Sequence, residues 1–256
     1  MIDTHCHLDA AEFATDHRAV SAQARTDGVT QIIIPGVSAA GFARQKDIAA
    51  RTPGAVAAYG IHPLYLVQAN TGDLAQLRHY LEHEHPVAIG EIGLDFYLPQ
   101  PDRARQHEFF AAQLRLAREF DLPVILHSRR AIDAVLQALR HTPVPGGTAH
   151  AFNGSRQQAE QFIKLGFKLG FGGALTYAGS HRIRALAAEL PLASIVLETD
   201  APDIAPAWLH GGRNSPAELP RIAAELAQLR GISTAELVAH TDANARAVFL
   251  RLDQAD

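Results

Sequence analysis

Short apolar runs alternate with longer stretches of helical period along the whole chain. Ile2 to Thr4, Gln31 to Ile34, Val56 to Tyr59, Val87 to Ile89, Val124 to Leu126, Thr148 to Ala149, Lys168 to Phe171 and Ile195 to Leu197 predict about eight short strands. Between them, Asp16 to Thr26 is stopped by Gly28, Ala39 to Ala50 by Pro53 and Gly54, and Arg103 to Phe120 by Pro123. Ala131 to Leu139, Ser155 to Leu165 and His181 to Leu190 continue the alternation, and Pro216 to Leu229 and Thr234 to Leu250 close it. About eight βα units, without a low-complexity linker or an internal repeat, predict an α/β fold, a single (β/α)8 TIM barrel spanning residues 1–256. An open doubly wound sheet is the alternative, but the glycine fingerprint that many such sheets carry after the first strand is missing.

Polar residues that interrupt the pattern fall at strand ends. The chain opens Met1-Ile2-Asp3-Thr4-His5-Cys6-His7, and in an extended segment His5 and His7 project together while Cys6 points away. His62 follows the third strand, Glu91 the fourth, His127 the fifth, His150 the sixth and Asp200 the eighth. The carboxyl ends of barrel strands form one face, so these residues are expected to converge on one cup. Four of these imidazoles, His5, His7, His127 and His150, with Glu91 and Asp200 suit a borderline divalent ion such as zinc or manganese, with magnesium or nickel as alternatives. One ion that keeps an open position does not need so many protein ligands, so two ions are the better count.

Glu91, central in chain order, is the candidate bridge, with His5, His7 and Asp200 on one ion and His127 and His150 on the other. A carbamylated lysine is excluded as bridge, because Lys46, Lys164 and Lys168 all lie away from the strand carboxyl ends. Asp3 and Glu198 each sit two residues before a proposed ligand; they either orient a histidine or are buried and paired for stability. His62, beside Pro63, is placed to contact substrate, and Arg129 and Arg213 are candidate phosphate clamps. Gly154-Ser155 opens a helix, as an anion site or as a plain cap. His17, His79, His83, His85, His107, His141, His181 and His240 fall on or beside predicted helices and are expected to be solvated.

Composition narrows the class. At 256 residues, 47% hydrophobic and 20% charged, the chain can bury a large core. Cys6 is the only cysteine and is expected to be a buried small apolar residue, so no internal disulfide forms and a reducing compartment is expected. No basic leader precedes an apolar run and no run reaches membrane length, so a cytoplasmic protein with no membrane partner is expected, and no obligate protein partner is evident. A net charge of -4 excludes a broad basic face that coats nucleic acid, so any such contact is local. Most of the positive charge is guanidinium, which suits bidentate phosphate contacts.

Six stretches together resemble the TatD family of metal-dependent deoxyribonucleases, nearest its YjjV branch. They are Asp3-Thr4-His5-Cys6-His7-Leu8-Asp9, Gly60-Ile61-His62-Pro63, Ala88-Ile89-Gly90-Glu91-Ile92-Gly93-Leu94-Asp95, Leu126-His127-Ser128-Arg129, His150-Ala151-Phe152-Asn153-Gly154 and Leu197-Glu198-Thr199-Asp200-Ala201-Pro202. The resemblance runs almost end to end. It implies a TIM barrel with a di-metal site and phosphodiester hydrolysis, described in the family as magnesium-dependent DNase activity and in some members as 3′ to 5′ exonuclease activity. The family's ligands correspond to His5, His7, Glu91, His127, His150 and Asp200, the set already reached from placement. Family members often carry Ser or Thr where Asn153 stands, and an acidic residue where Ser215 follows Arg213-Asn214; both departures bear on substrate and leave the metal set intact.

The expected function is a two-metal phosphodiesterase acting on DNA, single-stranded or at an end, with Mg, Mn or Zn as the ions. Glu91 and Asp200 are its catalytic carboxylates, Asp200 accepting a proton from the attacking water. An ester or amide hydrolase of the same barrel type, such as a D-aminoacyl-tRNA deacylase, is the alternative.

Overall fold

Strands and helices alternate in the computed structural model, which describes residues 1–97, 99–100 and 102–252. The strands are β1 (Ile2–Asp3), β2 (Gln31–Pro35), β3 (Ala55–Ala58), β4 (Ile89–Asp95), β5 (Val124–Arg129), β6 (Gly147–Ala149), β7 (Phe167–Phe171) and β8 (Ile195–Leu197). The helices are α1 (His17–Thr26), α2 (Phe42–Arg51), α3 (Thr71–Glu84), α4 (Arg103–Glu119), α5 (Ile132–His141), α6 (Arg156–Lys164), α7 (His181–Glu189), α8 (Leu219–Arg230) and α9 (Thr234–Val248).

Every ladder is parallel, in two runs, β1-β2-β3 and β4-β5-β6-β7-β8. Backbone bonds sew the runs into a ring. At one seam Tyr59 bridges Ile89, with Gly90 N–H donating to Tyr59 O at 3.0 Å and Val87 N–H to Ala57 O at 3.1 Å. At the other, Thr4 N–H donates to Leu197 O at 3.1 Å. The fold is the expected TIM barrel. Its lower interior is filled by Ile2, Ile33, Val56, Ala58, Ile125 and Val196, which cluster with Phe249 and Leu252 from the end of the chain. A buried phenylalanine of this kind contributes about 3–5 kcal/mol relative to alanine. The outer layer packs helix faces, including Phe109, Phe110 and Leu114 of α4, on the sheet. The site is therefore left to the opposite, carboxyl end of the strands.

Two differences from the sequence expectation matter. β4 does not end at Ile89 but runs on to Asp95, buried at every position. Full burial removes the alternation that marks a half-buried strand, and Gly90 and Gly93 read as turn residues. Gly93 instead has φ 149°, and a side chain there would overlap the His127 carbonyl, so glycine is what lets β4 lie against β5. The helix α3 has no counterpart in the apolar pattern, because only Leu77 and Leu81 of it are buried. The legible signal was its cap: Asn70 Oδ1 accepts Gly72 N–H at 2.8 Å while Asp73 reaches back to Asn70 N–H at 3.2 Å.

Candidate metal centre

After β1 the chain runs between β2 and the residues beyond β8. Cys6 N–H donates to Ile33 O at 3.1 Å, His7 N–H to Ala201 O at 2.8 Å, and Asp200 N–H to His5 O at 2.8 Å. Cys6 is buried and faces away, as expected. The rings of His5 and His7 reach the strand-end cup, their Nε2 atoms 3.2 Å apart.

Glu91 stands between two groups of imidazoles. Its Oε2 lies 3.2 Å from His5 Nε2 and 3.4 Å from His7 Nε2. Its Oε1 lies 2.9 Å from His127 Nδ1 and 2.8 Å from His150 Nε2. Asp200 Oδ1 joins the first group, 3.4 Å from His5 Nε2 and 3.7 Å from His7 Nε2. In the second group His127 Nδ1 and His150 Nε2 are 3.3 Å apart. All six expected ligands are thus brought together.

This donor set fits divalent cations. Ring nitrogens that face each other at 3.2 and 3.3 Å need a proton or a cation between them, and no lysine or arginine bonds to the cluster among the described residues. His5, His7 and Asp200 form one set whose ligand atoms lie within 4.8 Å of one another, and Glu91 joins His5 and His150 in a second. Without metal the cluster holds protons. Burial opposes charge on His7 and His150, but hydrogen bonding and attraction to Glu91 outweigh it and carry the two rings to about 9 and about 10. Burial disfavours the Glu91 carboxylate, yet His150, His62 and His5 hold its pKa well below the ordinary value. Burial also raises Asp200.

His62 is oriented differently. Its Nδ1 accepts Leu64 N–H at 3.1 Å, which leaves the proton on Nε2, 3.4 Å from Glu91 Oε1. Burial lowers it to about 4, so it stands neutral as an N–H donor at the wall of the cleft.

Buried carboxylates support the cluster from outside. Asp95, which sequence reasoning left without a role, accepts from His127 Nε2 at 3.0 Å through Oδ2 and from Tyr97 N–H at 2.9 Å through Oδ1. Its only signal was its place at the end of the Ile89-to-Asp95 stretch. Asp3 touches no ring: it accepts from Thr199 Oγ1 at 2.6 Å, Thr199 N–H at 3.0 Å and His5 N–H at 3.2 Å, pinning the two chain ends of the site together. Burial lifts Asp3 to about 7 and Glu198 to about 8. Glu198 accepts Ala151 N–H at 2.5 Å.

The cup opens into a cleft of about 1470 Å³, larger than most small-molecule pockets. On one side Arg129 and Arg130 lie over Tyr97, 3.6 and 4.6 Å from its ring centroid, and Arg182 donates to Asn153 Oδ1 at 2.6 Å. The lining also carries Asp9, Glu12 and Asp203, with Arg44 close enough to Asp9 to stabilise its charge. Arg213 stands apart from the cleft lining. Its guanidinium grips Asp16 at 2.6 and 3.0 Å and Glu12 O at 2.6 Å. Ser155 takes the capping role, exchanging bonds with Gln158 at 2.9 and 3.2 Å. The helical histidines do not line the cleft.

Fold and centre define a barrel hydrolase that depends on metal. The family model described as TatD related DNase matches residues 2–250, and the chain belongs to the TatD family. It is 43% identical over 232 residues to YjjV of Escherichia coli K12, an uncharacterized metal-dependent hydrolase, covering 90% of each chain. It is 35% identical to the 3′-5′ ssDNA/RNA exonuclease TatD of a Pantoea species, covering 97% of this chain and 99% of the relative. The crystal structure of E. coli YjjV superposes with a TM-score of 0.94 at 41% identity, covering 98% of both chains.

Proposed function

We propose that this TatD-type hydrolase is a two-metal phosphodiesterase that cuts DNA, single-stranded or at an end. One observation carries it: the two oxygens of Glu91 face separate groups, Oε2 toward His5 and His7 and Oε1 toward His127 and His150. In this assignment His5, His7 and Asp200 would hold one ion and His127 and His150 the other, with Glu91 shared between them. Two ions of Mg, Mn or Zn so held supply Lewis acidity and a water acidic enough to attack at neutral pH.

The chain's own groups do the rest. Asp200, raised by burial and open to the cleft, accepts the proton of the attacking water. His62 offers its Nε2–H to a substrate oxygen. Arg129, stacked on exposed Tyr97, binds phosphate from the rim. Arg213, committed to Asp16, has no part. Relatives named as ssDNA/RNA exonucleases support the substrate class.

Acidic residues in the cleft lining favour a second reading. Asp9, Glu12 and Asp203 would repel a long polyanion and welcome an amine, as in an aminoacyl ester, so a D-aminoacyl-tRNA deacylase uses the same centre for carbonyl attack. Purified protein with 3′-labelled single-stranded DNA, dinucleotide phosphodiesters, aryl esters and D-aminoacyl-tRNA, each with Mg²⁺, Mn²⁺ and Zn²⁺, separates them. Cleavage of phosphodiesters is expected; turnover of carbonyl substrates alone refutes the first reading.

A further inference from the structure

The ring of His150 lacks the support that His127 has. Asp95 fixes the far nitrogen of His127 at 3.0 Å, whereas Nδ1 of His150 is buried with no hydrogen-bond partner among the described residues. Apart from its stacking on the His5 ring, 4.1 Å between centroids, its aim is set by its backbone. Three consecutive N–H groups there are tied to three different strands or strand ends. His150 N–H donates to Leu126 O on β5 at 3.1 Å, Ala151 N–H to Glu198 Oε1 beyond β8 at 2.5 Å, and Phe152 N–H to Gly170 O on β7 at 3.1 Å.

The middle tie is the unusual one. Ala151 has φ 44°, a left-handed conformation that a residue with a side chain seldom adopts unless its surroundings hold it there. Glu198 is 1% exposed and starts beyond β8, so to reach the end of β6 its carboxylate must pass β7. It passes at Gly170, where a side chain would overlap the carboxylate. The missing side chain is the space that Glu198 uses.

We infer that Glu198 is a positioning residue, a strut that crosses Gly170 from β8 to hold Ala151 in its left-handed turn and so aim the His150 ring at the metal centre. The inference rests on the assignment of His150 as a ligand. The role assigned to the strut is that of an acceptor oxygen for one N–H, which separates it from a ligand or a base. The Gln variant keeps that acceptor; the Met variant keeps the volume and loses it.

The test loads wild type, Glu198→Gln, Glu198→Met, Gly170→Ala and His150→Ala with Mn²⁺, removes the metal with graded chelator, and reads bound Mn²⁺ per chain and thermal melting. Glu198→Met and Gly170→Ala are expected to release one ion at about 10–100-fold lower chelator while the other is kept. Glu198→Gln is expected to stay within about threefold of wild type. Nuclear magnetic resonance of the histidine rings should show the His150 signals shifted in Glu198→Met and near their wild-type positions in Glu198→Gln. The inference is overturned if Glu198→Met melts lower yet keeps both ions at wild-type affinity, or if Glu198→Gln loses as much as Glu198→Met. If His150→Ala itself loses no ion, the ligand assignment fails instead.

Discussion

Replacing Asp95 by asparagine changes one atom and should disable His127. The carboxylate makes two bonds with no freedom to exchange them: Oδ1 accepts Tyr97 N–H at 2.9 Å, and Oδ2 faces His127 Nε2 at 3.0 Å. In Asp95→Asn the amide oxygen stays with Tyr97, because that N–H has no use for an NH₂ group. The NH₂ group then faces His127 Nε2, which must give up its proton to accept. A neutral imidazole has one proton, so it moves to Nδ1, the atom that points at Glu91 and His150. The lone pair that would bind metal is lost.

Loss of a carboxylate behind a ligating histidine costs about 10–100-fold in metal affinity or activity. At about 1.4 kcal/mol per tenfold this is roughly 1.4–2.7 kcal/mol. The forced change of tautomer puts Asp95→Asn at the upper end, and the ion on the His127 side should leave first. Bound Mn²⁺ per chain against graded chelator, together with kcat on a labelled oligonucleotide, measures both. A variant that melts like wild type and stays within about threefold in both would refute the reasoning, since Asp95 would then only fill space.

Glu91→Gln should cut the turnover rate by more than about 100-fold and reduce bound metal toward one ion per chain, read by elemental analysis beside the rate. Loss of activity with both ions retained would sink the bridging assignment. Arg129→Ala should raise KM for single-stranded DNA roughly tenfold and flatten its dependence on salt, with metal content unchanged; Arg213→Ala, its charge spent on Asp16, should leave KM within about twofold. A larger KM effect from Arg213 than from Arg129 would reverse this assignment of the rim. His7 and His150, raised to about 9 and about 10, are protonated near neutral pH in the metal-free protein and must deprotonate to bind metal. Loading should therefore release about two protons, and affinity should climb as pH rises toward 9–10; calorimetry in buffers of different ionisation enthalpy counts them, and no release would contradict the protonated cluster. Chelation should lower the melting temperature, with a loss of stability on the order of 2.7 kcal/mol per site when free metal is one hundred times Kd.

The barrel and the residues that gather at its mouth were legible because both are written in local pattern. Strand and helix periods, with Gly and Pro as stops, depend on neighbours a few residues apart, and His5, His7, Glu91, His127, His150 and Asp200 each punctuate such a unit. Asp95 escaped because β4 is buried on both faces and shows no period to follow. The family resemblance supplied the reaction, which no spacing contains.

Lateral relations were decided only when the ring closed. Arg213 meets Asp16 across 197 residues, and Thr199 meets Asp3 across 196. The division of the two Glu91 oxygens, the tautomer set on His62 by Leu64 N–H, and the passage of Glu198 over Gly170 belong to the same class. Sequence alone determined which side chains arrive at the strand ends. Which atom faces which follows from distances of about 3 Å between distant segments, where hydrogen bonds form or fail, and only the closed barrel sets those.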